Sequence, residues 1–392
     1  MMSINYCEKE RVFTLQTQNA TYQMIVDSHG YLLHCYYGAK IERQNLSYCI
    51  QPQDRGFAAN PPDAAGDRTL SPDTLSQEYS TFGVGDFRES CLDVRDKNGG
   101  VAADLRYGSY RIYPGKKPLN GLPAAYGNEK DVDTLEIDLR DEVSGLVVTL
   151  RYSVFAQWDV IARSAEIFNW GTGVLILERA LSCCLDEPVP ASRDILTFFG
   201  RHMGERNLER MPLRHGKFRV DSMRGASSPH YNPFVILCDS AATETAGNCW
   251  AFSLVYSGNF IAQAEVDQID TLRFVMGIAP QNFSWELKPG ASFQAPEVLL
   301  CFSDYGFDAL SNRLNGFQMQ HLVRGKYRTE RCPILVNNWE ATYFDFDEER
   351  LLALAREAKE VGIEMLVLDD GWFGERNDDT TSLGDWFVNR QK

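Results

Sequence analysis

The run CPILVNNWEATYFDFDEERLLALAREAKEVGIEMLVLDDGWFGERNDDTTSLGD, residues 332–385, decides how the last part of the chain folds. Ile334–Val336 and Met365–Leu368 are short apolar runs of the strand type. Between them Asp345, with Glu348 three residues on, has the form of an N-cap with a reaching-back carboxylate. Leu351, Leu354, Ala355, Ala358 and Val361 then recur at helical spacing, and Gly362 supplies the stop. Strand, helix and strand in that order predict a βαβ unit with parallel strands. Both strands run into polar and aromatic residues: Asn337, Asn338, Trp339 and Glu340 after the first, Asp369, Asp370, Gly371 and Trp372 after the second. In β/α barrels and open α/β sheets the chemistry sits at that end. An indole beside two carboxylates suits a sugar, because the ring stacks on an apolar sugar face while the acids accept hydroxyl protons.

Upstream, residues from about 10 to 300 read as strand after strand. Thr21–Val26 and Tyr31–Tyr37 flank Asp27-Ser28-His29-Gly30, a hairpin signal. Leu146–Phe155, Val160–Phe168, Val174–Leu181, Phe234–Cys238, Trp250–Tyr256, Leu272–Met276 and Glu297–Phe302 follow, with polar or glycine-rich breaks. Many short strands with turn residues between them predict a large all-β sandwich over residues 1–304. Phe307, Leu310, Leu314 and Phe317 mark an amphipathic helix in a connecting segment, 305–330. The barrel-like part then starts at 331. The stretch from Gln51 to Arg88 is the least regular, and its aromatic and charged content suits a functional loop better than a plain linker.

Composition narrows the partners. With 39 basic and 54 acidic residues the net charge is −15, which disfavours nucleic acid and anionic membranes. No apolar run approaches the ~18–20 residues of a membrane span, and MMSINYCEKERVF carries no signal-peptide core. Ten scattered cysteines without C-x-x-C fit buried thiols of a reducing compartment, here the cytoplasm. The six histidines show neither H-x-x-x-H nor H-E-x-x-H, and Gly83-Val84-Gly85 opens no helix, so neither a metal nor a nucleotide cofactor is expected.

NNWEATYFDF at 337–346 and LDDGWFG, ND and SLGDW between 368 and 386 resemble the start of the catalytic barrel of glycoside hydrolase family 36, the α-galactosidases. QPQDRGFAANP (51–61), EYSTFGVGDFRES (78–90) and RGASSPHYNPF (224–234) are similar to the family's amino-terminal pattern, so the likeness spans nearly the whole chain. It implies a β-supersandwich followed by a (β/α)8 barrel. A barrel needs about 250 residues, and the chain stops at Lys392, so only the first βαβ unit of an incomplete barrel is expected. The resemblance implies a retaining α-galactosidase that needs no cofactor and acts on α-galactoside oligosaccharides. Within the class, α-N-acetylgalactosaminidase or transglycosylase activity stays open. So does a non-catalytic carbohydrate-binding β-sandwich module, although such a module has no use for a βαβ unit.

Asp369 and Asp370 are not a catalytic pair on this reading. Neighbours on a strand point to opposite faces, whereas a retaining pair faces across the bond at about 5–5.5 Å. By resemblance, the nucleophile and acid/base lie beyond Lys392 and the fragment is inactive. The same resemblance makes Asp369 and Asp370 galactose-binding residues and Trp339 a pocket wall, with Trp386 near the site. The blander alternatives are a turn or N-cap carboxylate and a core tryptophan. Asp54, with Arg55 and Arg68 beside it, matches a loop that covers a neighbouring subunit's site, which implies a homo-oligomer, a tetramer; a surface ion pair is the alternative. Asp86 and Arg88 could pin that loop. For His230 the sequence offers no mechanism.

Overall fold

Two neighbouring strands explain the architecture of the first part. Along Cys249–Val255 and Glu297–Ser303 almost every residue is apolar, and successive side chains belong to different cores. Trp250, Phe252, Leu254, Val298, Leu300 and Phe302 face the core between sheets; Cys249, Ala251, Leu299 and Cys301 face a second cluster with Leu310, Leu314 and Phe317 of the Gly306–His321 helix. A sheet covered on both faces needs apolar residues on both, so alternation disappears from its sequence. The computed structural model describes residues 3–42, 44–54, 60–64, 66–187 and 193–392. It divides into Met1–Leu322 and Val323–Lys392.

Among the described residues the first unit holds antiparallel sheets of ten, six and four strands. The ten-stranded sheet runs from Gly204–Pro212 at one edge, through Glu297–Ser303 and Val160–Asn169, to Arg106–Pro114 at the other. The six-stranded sheet is built around the long strand Leu175–Glu187, and residues 4–39 form a four-stranded meander. The hairpin expected at Asp27 is present: its carboxylate accepts from the His29 and Tyr31 amides, and strands Ala20–Val26 and Leu32–Ala39 pair across it. The fold is mainly β, a large sandwich followed by a βαβ unit. All ten cysteines carry free thiols. No helix among the described residues is long and apolar enough to cross a membrane.

The stretch from Gln51 to Arg88 is not one loop. Residues 51–54 are exposed, but 70–81 are buried in the sandwich. Tyr79, 3% exposed, donates its hydroxyl to the Leu181 carbonyl. Asp86 and Arg88 form a buried ion pair at 3.0 Å, Asp86 also meets Arg273 at 2.8 Å, and the Arg88 guanidinium holds the Pro72 and Leu75 carbonyls. The ion pair thus pins the segment from inside.

The helix of the first unit starts without a side-chain cap. Its first amides, on Gly306, Phe307 and Asp308, donate to the carbonyls of Gly247, Thr243 and Glu244. That approach requires glycine: Gly306 has φ +73°, and a Cβ there would lie 2.3 Å from the Thr243 oxygen. Gly306→Ala is therefore expected to lower stability by about 1–3 kcal/mol, read as a drop in urea midpoint; an unchanged midpoint would show that the turn yields freely.

In the second unit Leu335–Asn337 and Met365–Val367 pair in parallel, Leu335 opposite Met365 and Asn337 opposite Val367. The helix between them runs Glu348–Glu360, with Leu351, Leu354, Ala355 and Ala358 forming its half-buried stripe. Val361, expected on that stripe, is the C-cap and 79% exposed. The N-cap is Asp347, which accepts from the Arg350 amide at 2.8 Å, and not Asp345, which pairs with the Arg350 guanidinium. Phe346 before the cap and Leu351 occupy the two positions of a hydrophobic staple and line one cavity, and the helix entry lies two residues later than the carboxylate spacing suggested.

Candidate functional site

The ends of the two parallel strands are tied by asparagines. Asn338, fully buried, donates its backbone N–H to the Val367 carbonyl, accepts the Asp369 amide on Oδ1 at 2.7 Å, and donates Nδ2 to Thr342 Oγ1. A buried amide with its groups satisfied fixes backbone as firmly as a strand pair does. Asn337 uses its side chain in both directions: Oδ1 accepts the Trp339 amide at 2.7 Å and Nδ2 donates to Asp369 Oδ2 at 2.5 Å. One residue thus links the indole's backbone to the first aspartate. Trp339 is half-buried, edge-to-face with Tyr343 at 5.2 Å and with Phe344 at 4.9 Å.

The second aspartate is clamped. Arg376 Nε and Nη2 donate to Asp370 Oδ1 and Oδ2 at 2.7 and 2.8 Å, and the Gly371 amide donates to Oδ1 at 2.8 Å. The Arg376 guanidinium holds the Asp370 carboxyl below the usual carboxylate range. A group so stabilised as an anion is a poor proton donor near neutrality and a good hydrogen-bond acceptor. The Asp370 amide itself donates to Asp369 Oδ1 at 2.7 Å. Asp369, Asp370 and Trp339 are thereby brought into one network. Trp386 packs its ring 4.6 Å from Phe373 and is 65% exposed.

The family model of the glycosyl hydrolase family 36 N-terminal domain matches residues 30–288, and the Melibiase model matches 292–392. The chain belongs to glycosyl hydrolase family 36. This family 36 chain is 47% identical to the bifunctional alpha-galactosidase/sucrose kinase AgaSK of Mediterraneibacter gnavus, covering 100% of itself and 42% of the relative. It is 47% identical to alpha-galactosidase AgaA of Geobacillus stearothermophilus, covering 100% of itself and 53% of the relative. The solved galactosidase domain of AgaSK superposes with a TM-score of 0.96 at 47% identity, over 99% of this chain and 54% of that one. An AgaA variant in complex with raffinose superposes at 0.94 and 47% identity, over 97% and 53%. The chain spans about half the length of the curated relatives it matches.

The remaining candidates lie in the first unit. Asp54 and Arg68 form an ion pair at 3.0 Å with both side chains exposed by about 60% or more. Such an exposed pair contributes about 0–1 kcal/mol. Arg55 lies outside the described residues. His230 Nδ1 meets Ser228 Oγ at 2.9 Å within its own turn. Among the described residues no group of three or more His, Cys, Asp and Glu is placed to hold a metal ion. Sequence reasoning did not single out Arg376, and it named Asn338 only among the polar residues that follow the first strand; no spacing rule identifies the contacts of either.

Proposed function

We propose that the protein carrying this chain is a retaining α-galactosidase acting on oligosaccharides such as raffinose and stachyose. Asp369, Asp370 and Trp339 orient the terminal galactose so that attack becomes effectively intramolecular. The reaction is double displacement: a carboxylate elsewhere forms a glycosyl-enzyme, a second acid protonates the leaving oxygen, and water resolves the intermediate. The observation that carries this reading is the pre-oriented pair of acceptor carboxylates in one network with an indole, at the ends of two parallel strands. Relatives named alpha-galactosidases, some solved with raffinose or stachyose bound, support it. Asp54, matching the family's covering loop, is assigned to a neighbouring subunit's sugar in a homo-oligomer.

Asp370, held as an anion, is unsuited to act as the acid of the bond-breaking step. Incubation with an aryl α-galactoside tests both halves of the assignment. The longest product of the reading frame is expected to turn over steadily, and the 392-residue chain not at all. Turnover by the chain that Asp369→Asn abolishes would move the catalytic role onto this pair; no turnover by any product would overturn the galactosidase reading.

A further inference from the structure

Given the α-galactosidase reading above, we propose that Arg376 is a positioning residue that leaves Asp370 one acceptor site, on Oδ2, for a single sugar hydroxyl. An ionised carboxylate offers about four lone-pair sites. On Asp370, Oδ1 is filled by Arg376 Nε and the Gly371 amide, and Oδ2 carries Arg376 Nη2. One site on Oδ2 stays open, and the Asp370 side chain is 27% exposed, enough for a ligand to reach it. Asp369 differs. Each of its oxygens takes one donor, Asn337 Nδ2 or the Asp370 amide, so two sites remain.

Arg376 is itself fixed. It is 4% exposed, its Nη1 donates to the Thr381 carbonyl at 2.7 Å, and its guanidinium carbon stands 5.7 Å from the Phe344 ring centroid and 6.0 Å from that of Phe373. A planar fork with three of its nitrogens engaged determines both the position and the plane of the carboxylate it holds. Lysine delivers the charge without the plane. The lowered Asp370 pKa agrees with this: the clamp keeps the carboxylate ionised, so both oxygens accept.

The test is a double-mutant cycle on the active product. R376M is expected to lower kcat/KM on an aryl α-galactoside by about 10- to 150-fold, the range for a hydrogen bond to a charged acceptor, with R376K in between. In a D370N background, where the clamp has no carboxylate to hold, R376M should cost less than about 3-fold. Equal losses in both backgrounds, or wild-type activity for R376M, would show that Arg376 only holds its loop and would overturn the proposal. If R376M fails to fold by circular dichroism, R376K runs through the same cycle under the same criterion. In the 392-residue chain, carbon-13 titration of Asp370, assigned by loss of its signal in D370N, reads the clamp without activity. The midpoint should lie below the ordinary aspartate range and rise towards it in R376M; no movement overturns the clamp. A wild-type product inactive on every α-galactoside fails the functional reading instead, while that titration still reports on the ion pair.

Discussion

Replacing Arg163 by methionine is expected to destabilise the first unit by about 3–5 kcal/mol, the cost of leaving one partner of a buried ion pair alone. Arg163 Nη1 stands 2.9 Å from Glu78 Oε1, and both side chains are fully buried. The same carboxylate accepts the Tyr22 hydroxyl at 2.5 Å and the Tyr152 hydroxyl at 2.7 Å on Oε1, and meets His34 Nδ1 at 3.1 Å through Oε2. Burial pushes the Glu78 pKa up, but Arg163, then His34 and Tyr22, outweigh it and the net shift is downward. A depressed folded pKa contributes stability that is present above the unfolded carboxyl range, about 4.3, and lost as pH falls through the folded value. Without Arg163 the largest contribution opposing burial is gone and only His34 and the tyrosine hydroxyls remain against it, so the pKa of Glu78 is expected to rise and its protonation to relieve the variant. Its deficit should therefore be largest near pH 7 and shrink on acidification. The double variant Glu78→Gln with Arg163→Met should recover much of the loss, because no buried charge is left. Urea midpoints at two pH values decide this, and a deficit that grows towards acid would refute the account.

That cluster also shows where sequence reading stopped. Glu78 lies in the stretch taken as one long loop, and nothing in SQEYSTF announces that its acid meets an arginine 85 residues away. Long-range ion pairs leave no local period. Strands facing apolar cores were legible: Leu146–Phe155 has the bounds its pattern implies. Strands Arg106–Pro114 and Asp133–Asp141 were not read, although Leu135, Ile137 and Leu139 alternate along the second; their polar face is a ladder of charges, Arg111 pairing Glu136 and Asp138, and Arg151 pairing Glu136. Cross-strand pairing of opposite charges suits a sheet as well as alternation does, yet in sequence it looks like surface. The site divides likewise. Asp369, Asp370 and Trp339 end apolar runs and could be picked out, whereas Arg376 folds back from a turn-rich loop whose path only the three-dimensional structure supplies.

In the active product, Asp369→Ala is expected to lower kcat/KM on galactosides by about 10- to 150-fold, the range for hydrogen bonds to a charged acceptor. Asp369 keeps two acceptor sites free after Asn337 and the Asp370 amide are served, so its removal deprives the sugar of up to two bonds. Asp370→Ala should cost at least as much, since it also strands Arg376, only 4% exposed, without its anion. A site built to accept hydroxyl protons discriminates strongly against substrates lacking them, because its acceptors are then left unpaired. The same logic predicts coupling: on galactosides without the axial 4-hydroxyl or the 6-hydroxyl, the losses in one or both variants should shrink, since enzyme and substrate then lack two ends of one bond. Measuring kcat/KM for both variants on the parent and deoxy substrates separates the roles. Equal fold-losses on every substrate would mean that the aspartates only shape the strand ends, and wild-type rates throughout would remove them from the site.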